Sequence, residues 1–488
     1  MLEAEAPQAV IGLEVHAQIH TRAKMFCGCP VVADADAPPN SATCPVCLGL
    51  PGALPTVNRQ AVDWGIQAGL ALHCTLREAS RFARKSYFYP DLPKGYQISQ
   101  YDAPLAENGT LEIEVNGETR RIGITRAHLE EDTAQLIHRD DGRVAVDFNR
   151  AGIPLLEIVS EPALHTVDDV YAYATALHHL LAYLGLNRGD MSRGMMRFEA
   201  NVSVREAGAT RLAPRVEIKN LNSFRALTRS VAYEIERQRE CVRRGEPVAQ
   251  ETRGWDEVAE LTVVQRSKET APDYRYFPEP DIPPLVVAAE HVAALRAALP
   301  ELPRARQARW LAEYALRAHE AALLVQERGV ADYFDRAAEL AQTRGIAPQE
   351  VAQWMTGSLF ALLNAGDVDI AACRVTPERL VRLLERCAEG VVSVTAARAV
   401  LEAVFETGES PDAAIARLDL AQISDAGTLS RLVRDTIAAH PAQAREYRAG
   451  KSALLGWFVG QVMAVSQGKA NPQEVRALLQ RTLDDAPT

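Results

Sequence analysis

Residues 122–162 have the sequence IGITRAHLEEDTAQLIHRDDGRVAVDFNRAGIPLLEIVSEP, and this stretch decides the fold. Its apolar runs have the length and composition of β-strands. Polar and charged side chains that a core excludes lie between them, namely His128, Glu130, Glu131, Asp132, Asp147, Asn149, Arg150, Glu157 and Glu161. Buried carboxylates are costly unless they are paired or bind a metal, and clustered oxygen ligands suit Mg²⁺. From this stretch alone, a metal site and an acidic edge with ordinary salt bridges are equally good interpretations.

A second candidate strand lies at residues 10–20, VIGLEVHAQIH, in which apolar and polar residues alternate strictly. This alternation predicts a strand with one buried face. Glu14 and His16 project from the other face, about 7 Å apart along the strand. Both side chains can therefore reach one ion or one phosphate. The alternative is that they belong to the polar outer face of an amphipathic strand.

Four of the eight cysteines lie close together in the sequence, Cys27, Cys29, Cys44 and Cys47, with fourteen residues between the two pairs. In a reducing compartment such a cluster favours a metal over disulfides. Four thiolates leave no open position on Zn²⁺, so the predicted zinc site is structural. Four reduced thiols without a ligand are the alternative.

Composition limits the class of protein. The chain has 488 residues with a net charge of −11, and no apolar run approaches the roughly 20 residues of a membrane span. Residues 1–10 lack the plan of a signal peptide, so we expect a cytoplasmic protein without a membrane partner. The acidic charge argues against general coating of nucleic acid. Residues 431–469, however, carry six basic and two acidic residues, a surface that can bind RNA backbone but that also arises by chance.

The chain divides into three parts by composition. Residues 1–292 carry the strand signals, including an Asn116-Gly117 pair that predicts a type I′ hairpin turn. Residues 293–407 are rich in Ala, Leu, Arg and Glu at helical spacing, and a break near residue 408 precedes a tail, residues 408–488. We therefore predict an α+β protein in which a domain with an antiparallel sheet precedes an all-α domain and a small all-α tail.

Several long motifs resemble the B subunit family of tRNA-dependent amidotransferases, and the resemblance covers nearly the whole chain. They are IGLEVHAQ (11–18), SYFYPDLPKGYQISQYD (86–102), ITRAHLEED (124–132), VDFNRAGIPLLEIVSEP (146–162), MRFEANVSVR (196–205), VEIKNLNSF (216–224), DYRYFPEPDIPPL (273–285) and GKSALLGWFVGQVM (450–463). Motifs of this length and composition do not arise by chance.

The resemblance implies a ligase with a cradle-like catalytic domain, a helical domain and a tail that binds tRNA. Such a protein uses ATP to phosphorylate the side-chain carboxylate of Glu-tRNA(Gln) or Asp-tRNA(Asn), which ammonia then converts to the amide. The ammonia comes from a glutaminase A subunit, and a small C subunit completes a heterotrimer. The alternative is a non-catalytic scaffold that only binds tRNA. The sequence does not say which of the two tRNAs is the substrate.

The resemblance also assigns residues. The catalytic and Mg²⁺-binding positions of the family fall on Glu14, His16, Glu131 and Glu157, with His128 and Glu130 adjacent as phosphate or nucleotide contacts. Arg150, Arg205 and Lys219 are candidate phosphate clamps, because arginine and lysine neutralise phosphoryl oxygens. The cysteine quartet matches the family members that bind zinc.

Overall fold

The computed structural model describes residues 7–32, 37–187, 191, 194–205, 213–267, 273–423, 425–466 and 468–484. The chain forms two compact units, Met1–Leu302 and Pro303–Thr488. The strands lie in the first unit, and the second is helical in its described residues. The predicted fold class, an antiparallel sheet followed by helices, is confirmed.

The first unit is organised by its strands, which are β1 (Gln8–Gln18), β2 (Thr75–Leu76), β3 (Ala79–Ser80), β4 (Ala83–Ser86), β5 (Tyr96–Ser99), β6 (Ala106–Val115), β7 (Glu118–Glu131), β8 (Gln135–His138), β9 (Val144–Asp147), β10 (Pro154–Ser160), β11 (Met196–Arg205), β12 (Val216–Leu221), β13 (Glu251–Asp256), β14 (Leu261–Ser267), β15 (Phe277–Pro278) and β16 (Leu285–Val286). Nine of them form one sheet in the order β14-β13-β12-β11-β1-β10-β7-β6-β2. All neighbours in this sheet are antiparallel except β12 and β13.

One face of the sheet is the core of the first unit. In β1 the alternation predicted from the sequence places Ile11, Leu13 and Val15 on this face, where all three are fully buried. Three helices pack against it, α1 (Arg59–Ala71), α2 (Val167–Tyr183) and α3 (Phe224–Arg243). Each begins at a side chain that accepts a hydrogen bond from the first turn, respectively Asn58, Thr166 and Ser223. Since the helices cover only one face, the polar residues of β1 lie on the other.

The predicted hairpin turn joins β6 to β7. Asn116 and Gly117 have φ values of 54° and 80°, as a type I′ turn requires at both central residues. The turn brings β7 back along β6, so its last residues lie beside the start of β10. The acidic stretch 122–162 is thereby built into the middle of the sheet.

Thirteen helices complete the described part of the two units: α4 (Ala289–Ala297), α5 (Pro303–Glu313), α6 (Ala318–Leu324), α7 (Arg328–Thr343), α8 (Pro348–Trp354), α9 (Phe360–Gly366), α10 (Pro377–Ala388), α11 (Val394–Thr407), α12 (Pro411–Arg417), α13 (Ala426–Ala439), α14 (Pro441–Arg448), α15 (Leu454–Val465) and α16 (Pro472–Asp484). A π-helical segment, Met355–Leu359, joins α8 to α9, and Ile370–Ala372 forms a 3₁₀ turn. None of the described helices combines the length and the apolar character needed to cross a bilayer.

The contacts of α4 and α12 can be compared with the predicted domain limits at residues 292 and 408. Helix α4 contacts α1, so the first unit continues beyond residue 292 to Leu302. Helix α12 contacts α10 and α11, and Asp412 pairs with Arg386 at 2.6 Å. The last four helices have an apolar core of their own, built around Leu429, Phe458 and Leu479. A division of the second unit therefore fits better after α12 than before it.

Candidate functional site

The strand register brings the acidic and imidazole side chains together on the face of the sheet that points away from α1, α2 and α3, which we call the open face. His16 lies opposite Glu157 of β10, and Glu157 lies opposite His128 of β7. His16 Nε2 is 3.3 Å from Glu157 Oε2, 3.5 Å from Glu130 Oε1 and 4.0 Å from Glu14 Oε1. His16 is therefore the centre of a cluster with the carboxylates of Glu14, Glu130 and Glu157.

The ligand atoms of this cluster suit a divalent cation. Two overlapping groups, Glu14–His16–Glu157 and His128–Glu130–Glu157, each keep their ligand atoms within 4.8 Å of one another. Adjacent ligands of an octahedral Mg²⁺ lie roughly 3.0 Å apart, because each lies about 2.1 Å from the ion. The distances from His16 Nε2 to the three carboxylates are 3.3–4.0 Å, so movements of about 1 Å or less would bring these atoms to that separation. Carboxylate oxygens with an imidazole nitrogen are also a suitable donor set.

Burial and mutual charge shift the pKa values in the cluster in opposite directions. Burial raises the pKa of Glu14 to about 7, assisted by the charges of Glu157 and Glu199. Burial opposes protonation of His16, but its hydrogen bond with Glu157 and the charges of Glu157, Glu130 and Glu199 together raise its pKa to about 9. Burial opposes ionisation of Glu157 as well, yet His128 and His16 hold its pKa well below the usual range. Without a cation, His16 is therefore protonated, and a metal that binds to the cluster must displace this proton.

Two cationic side chains, Lys85 and Arg197, line a cavity of about 200 Å³ together with His16 and Glu130 of the acidic cluster. Lys85, from β4, lies with its Nζ 5.0 Å from the Tyr274 ring centre. Arg197, opposite His16 on β11, donates from Nη2 to Asp132 Oδ1 at 3.1 Å. Their charges can neutralise an anion held in the cavity. Neither residue was predicted as a site residue from the sequence. For Arg197 the reason is that only the pairing of β1 with β11 identifies it as the neighbour of His16.

Glu131 does not join the cluster, although the sequence places it among the metal ligands. Consecutive residues of a strand point to opposite faces, and Glu130 occupies the open face. The Glu131 carboxylate instead accepts a 2.5 Å hydrogen bond from Lys94 Nζ and one of 2.9 Å from the backbone N–H of Ile98. It lines a separate cavity of about 220 Å³ that Cys27 and Cys47 also line.

The three candidate phosphate clamps lie in three different places. Arg150 donates to the carbonyl oxygens of Thr133 and Ala134 at 2.9 and 2.7 Å, so it holds the chain after β7. Arg205 lies at the far end of β11, where it donates to Gln8 at 2.7 Å. Lys219 is beside the cluster, with Nζ 2.7 Å from Glu199 Oε2. Lys219 therefore lies beside the acidic cluster, and Arg150 Nε lies 3.8 Å from Asp132, which lines the cavity.

The cysteine quartet forms a compact group of four thiols. The Sγ atoms of Cys27, Cys29, Cys44 and Cys47 all lie within 4.8 Å of one another, and those of Cys44 and Cys47 are 3.9 Å apart. Sulfur atoms at tetrahedral positions about 2.3 Å from Zn²⁺ are roughly 3.8 Å apart, so the quartet fits this ion. A hydrogen bond from Cys27, with the backbone N–H of Cys44 and the charge of Lys24, lowers the pKa of Cys47 to about 4. Residues 33–36, between the two pairs, lie outside the described residues.

The basic residues of the tail are partly engaged within the second unit. Lys451 Nζ lies 2.9 Å from Glu446, Lys469 pairs with Asp419, and Arg448 donates to the Leu483 carbonyl at 3.0 Å. The Gly450-Lys451-Ser452 sequence follows the end of α14, where Gly450 has a φ of 104°. This is the geometry of a helix C-terminus, and α14 rather than a strand leads into the Gly450-Lys451-Ser452 sequence.

Comparison with known proteins gives the family. Two family models match, described as the GatB/GatE catalytic domain over residues 9–293 and the GatB domain over residues 332–483. The B subunit of aspartyl/glutamyl-tRNA(Asn/Gln) amidotransferase from Roseiflexus sp. (strain RS-1) is 50% identical over 476 residues, which cover 97% of each chain. The corresponding B subunits from Thermomicrobium roseum and Carboxydothermus hydrogenoformans are 49% and 46% identical, each over 98% of both chains. The resemblance inferred from the motifs is thus confirmed, and the chain belongs to the family of B subunits of aspartyl/glutamyl-tRNA(Asn/Gln) amidotransferases.

Proposed function

We propose that this chain activates the side-chain carboxylate of Glu-tRNA(Gln), Asp-tRNA(Asn) or both with ATP, and that it then amidates the activated group with ammonia. It acts as the ligase subunit of an amidotransferase. The observation that carries the proposal is the convergence of Glu14, His16, Glu130 and Glu157 on one sheet face, beside a cavity that Lys85 and Arg197 also line. Family membership supports the same activity.

The acidic cluster is the proposed metal site. In this proposal Mg²⁺ would be held by Glu14, His16, Glu130 and Glu157. Glu130 thus takes the role of metal ligand that the resemblance assigned to Glu131. Bound Mg²⁺ supplies positive charge to the phosphoryl oxygens of ATP. The protein's own part is to keep these carboxylates together, and the contacts of His16 at 3.3 and 3.5 Å do so.

Lys85 and Arg197 are the proposed contacts for the anionic substrates. A carboxylate is a poor acyl donor until its oxygen becomes part of a phosphate leaving group, so a carboxylate and a phosphoryl group must meet in one place. Two cations in the cavity beside the acids reduce the repulsion between those anions. Asp132 holds Arg197 in position through the 3.1 Å hydrogen bond. The rings of Tyr87 and Tyr274 lie near Lys85, with their centres 6.0 and 5.0 Å from its Nζ.

Other parts of the chain have supporting roles in this proposal. The cysteine quartet would hold a structural Zn²⁺, and the helical tail would bind tRNA. Ammonia would come from a glutaminase A subunit, with a small C subunit in the same heterotrimer. A protein of this function works in the cytoplasm, where aminoacyl-tRNA is made and used.

A tRNA-binding scaffold without catalysis is the competing function. A scaffold gains nothing from the buried carboxylates of Glu130 and Glu157, because burial of carboxylates costs stability and a scaffold has no chemical use for them. The test is ATP hydrolysis that depends on misacylated tRNA, measured on the full complex with Glu157→Gln. Glu118→Gln is the matched control, because Glu118 is exposed at the far end of β7. We expect loss of this hydrolysis only in Glu157→Gln; normal hydrolysis in both variants would favour the scaffold.

A further inference from the structure

Lys24 is a fully buried lysine that the proposed chemistry does not use. Its Nζ lies 3.7 Å from Cys47 Sγ and donates to the carbonyl oxygen of Phe148 at 3.1 Å. No carboxylate among the described residues lies within ion-pair distance of this ammonium group. A buried ammonium without a counter-charge destabilises the fold. The quartet is the nearest group that can supply the negative charge.

The charge of a filled quartet matches this need. Four thiolates around Zn²⁺ carry a net charge of −2, and burying that charge is also costly. Cys47 is the buried member of the quartet, and its sulfur already accepts a 3.1 Å hydrogen bond from the backbone N–H of Cys44. One ammonium beside this sulfur halves the net charge and adds a second donor to the same atom.

Lys24 also fixes where the quartet lies. Its backbone N–H donates to the carbonyl oxygen of Cys29 at 2.9 Å, so the residue contacts both cysteine pairs. Its side chain passes Gly152, where an added Cβ would lie 3.5 Å from Lys24 Cδ. Phe148 belongs to the turn between β9 and β10, and β10 carries Glu157. Lys24 thus connects the quartet to the chain that leads into the acidic cluster.

We propose that Lys24 is the charge-balancing and positioning residue of a zinc site formed by Cys27, Cys29, Cys44 and Cys47. This inference rests on the zinc site suggested under the proposed function. The ammonium donates to Cys47 Sγ and to the Phe148 carbonyl, which uses two of its three N–H groups. Groups that hydrogen-bond to metal ligands in this way tune both the affinity and the donor strength of the ligands.

The test compares Lys24→Met, which keeps the length and removes the charge, with Lys24→Gln and the surface control Lys451→Met. Each is purified in its full complex, and zinc affinity is measured by competition with a chromogenic chelator. We expect roughly 10- to 100-fold weaker zinc binding in both Lys24 variants and no change in the control. With Co²⁺ in place of zinc, the thiolate-to-cobalt charge-transfer band should move to lower energy, because Cys47 becomes a stronger donor without the ammonium.

The outcomes separate this inference from the zinc proposal. Wild-type protein that binds no zinc refutes the zinc site itself. Wild-type protein with one zinc, together with unchanged affinity and an unmoved cobalt band in Lys24→Met, overturns only the role of Lys24. Lower stability without either change also overturns it, since Lys24 would then serve only the Phe148 carbonyl. If Lys24→Met does not fold, the affinity and cobalt band of Lys24→Gln decide in the same way.

Discussion

Glu130 and Glu131 are neighbours in the chain, but their carboxylates lie on opposite faces of one strand. Glu130 Oε1 is 3.5 Å from His16 Nε2, whereas Glu131 Oε1 is 2.5 Å from Lys94 Nζ. The two residues therefore belong to different environments, an acidic cluster and an ion pair. A family motif places both near the chemistry, and only the strand geometry separates their roles.

The two arginines of β11 provide the first prediction. Arg197→Met should lower kcat/KM for tRNA-dependent amidation by roughly 10- to 100-fold, because a charged hydrogen-bond donor to the substrate is lost. Arg205→Met should leave amidation nearly unchanged, since Arg205 lies at the other end of the strand beside Gln8. Steady-state kinetics of the full complex measures both. Equal losses in the two variants would argue against Arg197 as a contact for the anionic substrates.

Asp132 gives a prediction for stability and its dependence on pH. Asp132 is 3% exposed and accepts hydrogen bonds from Gln18 and Arg197 at 2.8 and 3.1 Å. Burial opposes its ionisation, but Arg197 and Arg150 outweigh burial and hold its pKa below the ordinary value. Asp132→Asn should therefore lower the free energy of unfolding by about 3 kcal/mol at neutral pH.

The sign of the pH effect follows from that depressed pKa. The ionised carboxylate stabilises the fold at pH values above its unfolded pKa of about 3.9, and this contribution is lost as the pH falls through the lower folded pKa. Denaturant titrations on acidification should thus show a smaller loss of stability in Asp132→Asn than in the wild type. Asp140→Asn, at an exposed turn, should behave like the wild type. Parallel pH profiles for all three proteins would refute the role of Asp132.

Removal of zinc should affect structure more than chemistry. Cys44→Ser should lose the metal and increase hydrogen exchange in residues 37–47, because this loop has little apolar surface of its own. Its present contacts include a 2.8 Å hydrogen bond from the Ala42 N–H to Asn149 and one of 2.9 Å from the Asn40 N–H to Asp147. Amidation should fall only in part, since the quartet lies outside the acidic cluster. Elemental analysis that finds no zinc in reduced, chelator-free wild-type protein would contradict this prediction.

The tail should bind tRNA through its charge. A chain that ends after residue 424 keeps α12 with its partners α10 and α11 and removes the separate core of α13–α16. We expect weaker tRNA binding with a flatter dependence on salt, because fewer phosphates are neutralised. The glutaminase activity of the partner without tRNA should persist. Unchanged tRNA affinity in filter binding would rule out this role for the tail.

Local patterns predicted much of the fold. The alternation in residues 10–20 predicted β1 and its buried face, and Asn116-Gly117 predicted the turn between β6 and β7, since both signals act within a few residues. The partner strands could not be predicted, because register depends on contacts between distant segments.

The same limit explains the errors in the candidate site. Glu14, His16 and Glu157 were identified from motifs and do converge. Glu131 was included because the family's metal-binding positions fall on it, and Lys85 was missed because nothing near it in the sequence indicates an acidic cluster. Arg205 was a candidate phosphate clamp, but only the pairing of β11 with β1 shows that Arg205 lies beside Gln8 and that Arg197 lies beside His16.

The proposed Mg²⁺ site of Glu14, His16, Glu130 and Glu157 is tested by the binding of Mn²⁺ to the full complex, measured by electron paramagnetic resonance. Mn²⁺ is suitable because it takes the ligands of Mg²⁺. We compare Glu130→Gln, Glu157→Gln and Glu131→Gln. If the metal site lies on the open face of the sheet, the first two variants should bind Mn²⁺ weaker by roughly tenfold or more. Glu131→Gln should bind it like the wild type. Loss of Mn²⁺ binding in Glu131→Gln with normal binding in Glu130→Gln would contradict the account.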